Sequence, residues 1–178
     1  MDTQWPRYEV FEQERPGQPH RNTGAVHAPD AEIALQNARD VFVRRPECAS
    51  LWVVPEDQIY AWTAERLQAE RDWQTEAPRQ SVRPAQYEVF CKKGQRQAET
   101  FVTHVGQVTA RAPAEALREA MAQFGRDGVY VWWLVPAAAI VRSEPADAAS
   151  FFGPARDKPY RMPNSYRVIA QMRDDEAP

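Results

Sequence analysis

The sequence predicts an α+β protein: two tandem β-β-α-β modules forming a pseudo-dimer, plus a linker helix and an extended C-terminal arm. Three observations carry this. Segments recur in order: Tyr8-Glu9-Val10-Phe11 returns as Tyr87-Glu88-Val89-Phe90 at a spacing of 79, Gly24 to Ala28 returns as Gly106 to Ala110 at 82, and Trp52-Val53-Val54-Pro55 returns as Trp133-Leu134-Val135-Pro136 at 81. Each recurrence runs from strand formers through a turn signal to a second strand, a helical stripe and a short β-branched run. Finally, 178 residues make one ordinary domain or two very small ones. Three strands and one helix barely bury a core alone, so each module needs the other.

The first module covers residues 1–60. Tyr8 to Gln13 is rich in strand formers, Pro16-Gly17 signals a turn, and His20 to Ala28 completes a hairpin. Pro29 and Asp30 suit a helix start, where a missing N–H is harmless and an acid faces the positive end of the dipole. Ala34, Ala38, Val41 and Phe42 follow helical spacing and are expected to bury one face, and Leu51 to Val54 reads as a buried strand closed by Pro55. A right-handed crossover makes that strand parallel to the second, with the first strand between them. Residues 61–84 form the connection: Ala61 to Glu76 reads as a helix with Trp62, Arg66, Ala69 and Trp73 along one side.

The second module spans residues 85–142. Its helix opens at Pro113, buries Ala116, Leu117, Ala120, Met121 and Phe124, and ends at Gly125, placed for a left-handed cap. Val129 to Val135 is its last strand. Trp52 and Trp133 read as equivalent core residues, while Trp132 alternates to the other face and must be covered by the other repeat or a partner. Residues 143–178 contain the proline-rich stretch Ser143 to Asn164, read as an extended aromatic arm. Phe151 and Phe152 either pack back on the module or anchor a partner.

Charge and motifs narrow the function. Net charge is −3; neither half is the basic body of a nucleic-acid binder. Val129 to Val141, the longest apolar run, is broken by Pro136 and falls short of the ~20 residues of a membrane span. The N-terminus has neither a basic region nor an apolar one, which points to the cytoplasm. Cys48 and Cys91 cannot form a disulfide framework, and no glycine-rich phosphate loop or Glu-x-x-His pair occurs. His20, His27 and His104 read as surface or hairpin residues, none at metal-ligand spacing. The residues therefore imply no catalytic, cofactor-binding or metal site.

Trp5-Pro6-x-Tyr8-Glu9-Val10-Phe11, His20-Arg21, Gly24, His27-Ala28, Asp30, Ala34-Leu35, Asn37-Ala38-Arg39-Asp40, Arg44-Arg45 and Trp52-Val53-Val54 form an ordered set. Phe151-Phe152, Pro154-Ala155, Lys158, Tyr160-Arg161, Pro163 and Tyr166 extend it near the C-terminus. Together they resemble the B-component family of the multicomponent phenylacetyl-CoA epoxidase. The family carries the module once; here a diverged second module intervenes. The resemblance implies a non-catalytic subunit that organises a complex in phenylacetate catabolism. Its partners would be the di-iron catalytic subunit and a related structural subunit, with a flavin and iron–sulfur reductase supplying electrons.

On that reading His20, Arg21, Arg44 and Arg45 make polar contacts to partners. Phe151, Phe152, Tyr160 and Arg161 anchor the arm, so deleting residues 143–178 should leave a folded protein that no longer assembles. The alternative is a stand-alone module that binds an acyl-CoA-like ligand between its repeats.

Overall fold

The computed structural model describes residues 4–44, 47–70, 83–94, 101–125 and 128–157. Strand β1 (Arg7–Gln13) and β2 (Arg21–His27) form the first hairpin, turned at Gly17 with φ +82°. Helix α1 (Ala31–Phe42) starts as its sequence requires: the Asp30 carboxylate accepts from the Ile33 N–H at 2.8 Å. Strand β3 (Ser50–Pro55) then pairs with β1, so β1 lies between β2 and β3 and runs antiparallel to both. Farther along, β5 (Ala85–Lys93), β6 (Thr103–Ala110), α3 (Pro113–Phe124) and β7 (Val129–Pro136) follow the same order.

Local detail repeats too. The β1–β2 and β5–β6 ladders shift register at Val10/Phe11 and Val89/Phe90. Gly24 and Gly106 both have positive φ, +141° and +152°. A Cβ on Gly24 would lie 2.8 Å from the Phe42 ring, and one on Gly106 would lie 2.6 Å from Phe124. In each place a helical phenylalanine lies over bare backbone, which only glycine permits.

Three sequence expectations are corrected. The segment from Ala61 does not begin as a helix. Tyr60–Thr63 is strand β4, paired with β7, and helix α2 covers only Ala64–Ala69. The free edge of β7 recruits this aromatic segment, setting Trp62 opposite Trp132; Arg66 still stacks on Trp62 at 4.1 Å, while Trp73 lies outside the described residues. After strand β8 (Val141–Arg142), the described part of the expected arm, residues 143–157, is not extended, and the rest of it lies outside the described residues. Pro145–Asp147 and Gly153–Asp157 are 3-10 turns around helix α4 (Ala148–Phe152), because Phe152 buries itself in the core under α1. Gly125 closes α3 with φ −77°, not left-handed. Its N–H still bonds to the Met121 carbonyl, so helical bonding runs on through it.

The eight strands among the described residues join one antiparallel sheet in the order β4-β7-β5-β6-β2-β1-β3-β8. This sheet is not flat. Phe11 on β1 and Phe90 on β5 stand three places apart, about 14 Å on a flat sheet, yet their rings are 4.3 Å apart. Likewise β3, seventh in order, leads into β4, first in order, through Glu56 to Ile59, a link that reaches at most about 17 Å. The sheet therefore curls until its halves face each other.

Alternation along the strands then makes three cores. Tyr8, Val10, Leu51 and Val53 pack under α1, and Tyr87, Val89, Trp132 and Leu134 pack under α3. Phe11, Val54, Phe90, Trp133 and Val135 fill the space between the halves. Trp132 is thus covered on the outer face and Trp133 on the inner, both by this chain. No described helix is long and apolar enough to cross a membrane.

Candidate functional site

The alternation that points Phe11 and Phe90 inward does the same to Glu9 and Glu88, which are 3% and 1% exposed. A carboxylate buried this deeply must be hydrogen-bonded, and both are. Glu9 accepts from Asn22 Nδ2 at 2.9 Å and from Arg7 Nη2 at 2.8 Å. Glu88 accepts from His104 Nε2 and Gln107 Nε2, each at 2.8 Å, and from Arg142 Nη2 at 2.9 Å. Burial pushes the Glu88 carboxyl up. The hydrogen bonds from His104 and Gln107 and the nearby positive charges outweigh it, so its pKa ends below the ordinary value. Arg142 also lies over the Trp52 ring at 4.7 Å, tying β8, β5 and β3 together.

His20 closes this cluster. Its ring stacks on Trp52 with centroids 3.6 Å apart, 6.4 Å from His104. It is 7% exposed, and its Nε2 has no hydrogen-bond partner. Burial, then the charges of His104 and Arg142, push its pKa down to about 4, against the pull of Glu88. Of the two places expected for the histidines, surface or hairpin, His20 takes the second, just before β2, and it is buried there. The cluster lies where the halves meet, and little backbone bonding crosses there. The Asn22 N–H donates to the Val102 carbonyl at 2.9 Å, the His104 N–H to the His20 carbonyl at 2.8 Å, and the Phe101 N–H to Asn22 Oδ1 at 3.0 Å.

The other sequence-selected residues scatter. Arg21 is exposed on β2 and lines an open cleft of about 680 Å³ beside Phe101, whose φ is +63°. Arg44 is exposed just past α1. Phe151 is half-buried beneath the Arg39 guanidinium at 5.1 Å, and Phe152 is wholly buried. Phe152 therefore packs back on the protein and offers no surface to a partner. Arg45, Tyr160 and Arg161 lie outside the described residues.

Among the described residues, no three His, Cys, Asp or Glu side chains gather as metal ligands would. Burial raises the Cys48 thiol to about 12, helped by Glu12, and raises Cys91 as well. Neither is an activated nucleophile. What the site does is hold two halves of a sheet together.

Comparison with known proteins gives this scaffold a family. The family model "Phenylacetic acid degradation B" matches residues 4–77 and 84–173. The chain belongs to that family. The match reaches beyond the first-module and C-terminal motifs into the second half of the chain. A similar curated relative is the B component of the 1,2-phenylacetyl-CoA epoxidase from Escherichia coli (strain K12), 49% identical over 57 residues. The aligned stretch is 32% of this chain and 60% of the relative's length. No solved structure gives a significant match. Family membership ties the chain to phenylacetate degradation.

Proposed function

We propose that this protein is a non-catalytic bridging subunit of a multicomponent di-iron monooxygenase that epoxidises the ring of phenylacetyl-CoA. Its partners would be the di-iron catalytic subunit and the related structural subunit, with the reductase acting on the same assembly. The family match over both halves is the observation that carries this reading. A chain whose charged groups join its own halves, with its thiols held protonated, suits a scaffold.

We read the halves as copies of one unit, a fused pseudo-dimer working in the cytoplasm. The paired register shifts and the paired glycine–phenylalanine contacts support this. Each copy would lend its last strand to the other, since β4 pairs with β7 and β8 with β3. One chain would then do what two single-module subunits do.

The test is size-exclusion chromatography with light scattering, alone and after co-expression with the candidate catalytic and structural subunits. A monomer that enters their complex as one copy is the expected result. A particle that ignores both partners overturns the bridging role. Heat on titration with phenylacetyl-CoA by the isolated protein would instead support the ligand-binding alternative.

A further inference from the structure

The two halves close their outer cores differently, and the difference leaves a groove. Helices α2 and α4 hold matching places, since α2 follows β4, paired with β7, and α4 follows β8, paired with β3. Under α1, α4 delivers two rings. Phe152 is wholly buried in one cluster with Val43, Cys48 and Leu51, and Phe151 lies beneath the Arg39 guanidinium. The positions matching Arg39, Val43, Cys48 and Leu51 are Met121, Gly125, Val129 and Trp132, 82 residues on along the helix and 81 along the strand. Hydrogen bonding repeats there too: the Val43 N–H donates to the Arg39 carbonyl and the Gly125 N–H to the Met121 carbonyl. All four matching residues line a half-open groove of about 380 Å³, and Leu67 of α2 stands on its other wall. Trp132 in the place of Leu51 covers part of the space and is itself 2% exposed, so the core below is closed. Above it α2 offers Leu67 where α4 offers two phenylalanines. Met121, expected on the buried face of α3, lies at the edge of that face and is 36% exposed.

The filled place in the first half shows what the open one accepts. A cavity of about 150 Å³ takes one benzene ring, so this groove has room for an aromatic side chain and an apolar neighbour. Among the described residues its lining carries no charge. A charged side chain would lose its hydration there without gaining a partner, and the carboxylate or phosphates of a small aryl ligand would find no cation. The Met121 thioether, where α1 has the Arg39 guanidinium, suits the edge of a ring. We propose that the groove between α2 and the end of α3 docks a partner subunit, which inserts a phenylalanine from an uncharged segment as α4 inserts Phe152 under α1. A groove of this size is the anchor of a larger contact, as aromatic side chains at an interface centre usually are.

This inference rests on the bridging role, and the experiment separates the two. Wild type, Met121→Glu and Gly125→Leu are each titrated onto the co-purified catalytic and structural subunits. Gly125 has φ −77°, and a Cβ added there would meet Trp132 at an ordinary 3.9 Å, so leucine fills the groove without straining the backbone. Val41→Gln is the control. Val41, expected on the buried face of α1, lies at the edge of that face and is 49% exposed, and its match on α3 is Gln123. All three variants should melt with wild type. Expected is a loss of affinity of roughly 30-fold or more for each groove variant and none for the control. Photo-methionine, a diazirine analogue incorporated in place of methionine, should cross-link from position 121 to a phenylalanine-bearing peptide of a partner. Groove variants that bind like wild type overturn the docking site while leaving the bridging role standing. Cross-links from position 121 to residues 71–82 or 158–178 of the same chain, or to a second copy, overturn the partner as occupant. A wild type that binds neither subunit overturns the bridging role, and the proposed occupant with it.

Discussion

Replacing His20 with valine should make the protein less sensitive to acid. The position that matches His20 in the second half, 82 residues on, is Val102, which is fully buried. An apolar residue is therefore at home at this seam. In the native fold the His20 imidazole is stacked, buried and unpartnered at Nε2, with its pKa near 4 rather than 6.5. A depressed histidine pKa means that the fold refuses a proton the unfolded chain accepts. Above pH 6.5 both states are neutral and nothing is lost. As pH falls from 6.5 toward 4 the unfolded chain gains the proton first, and stability drains away. The whole shift of about 2.5 units is worth about 3 kcal/mol, of which about 2 kcal/mol falls between pH 7.5 and 5.0. Glu88 acts in the same direction but lower, since a depressed carboxylate loses its contribution only below its ordinary value. Urea titrations followed by tryptophan fluorescence, at pH 7.5 and 5.0 for wild type and His20→Val, read the difference directly. Wild type should lose about 2 kcal/mol more than the variant across that interval. Equal losses in the two proteins would refute the argument, because His20 would then not be the group that takes up the proton.

Further outcomes follow from the packing. Arg142→Ala leaves the buried Glu88 carboxylate without its arginine and should cost about 3 kcal/mol in urea titration; Glu88→Ala removes the buried charge itself and leaves Arg142, 38% exposed, able to reach water, so it should cost less, about 1–2 kcal/mol. Gly24→Ala and Gly106→Ala should each lower the melting temperature, by about 2 kcal/mol or more of stability. Adding Phe42→Leu to Gly24→Ala should recover only the part due to the ring contact. Phe152→Ala should cost about 3–5 kcal/mol. Deleting residues 143–178 should destabilise the first half rather than spare it, since it also removes the Ser143 bonds to Leu51.

Much of the fold was legible because its signals are local. A tetrapeptide of alternating character announces β1 and β5, Asp30 announces the start of α1, and the spacing of Gly24 and Gly106 marks matched hairpins. What misled were segments whose structure is decided by distant partners. Tyr60-Ala61-Trp62-Thr63 can be strand or helix, and the open edge of β7 decides. Phe152 looks like an arm residue until the gap beneath α1 is known. The seam cluster was missed for a similar reason, although one signal was in plain view. Glu9 and Glu88 recur between apolar neighbours on strands that must be buried, and a carboxylate there demands donors. Their suppliers, Asn22, His104, Gln107 and Arg142, lie on other strands at spacings that no short motif records.

The two buried glutamates also show how matched positions come to differ. Asn22 faces Glu9 and His104 faces Glu88, at positions 82 apart. In the first half Arg7, close by on the same strand, neutralises the acid. In the second half the cation is Arg142 on β8, which reaches Glu88 across Trp52 of β3. One glutamate is balanced locally; the other is balanced only when both halves are in place. A like pair of subunits that dissociated would expose such a contact at each separation, whereas in one chain the partner is always at high effective concentration. On the fused-pair reading, tethering is what lets the second half hold its charge at the seam. It equally lets the second half keep a groove between α2 and α3 where Phe152 fills the first, a difference closed to two identical subunits.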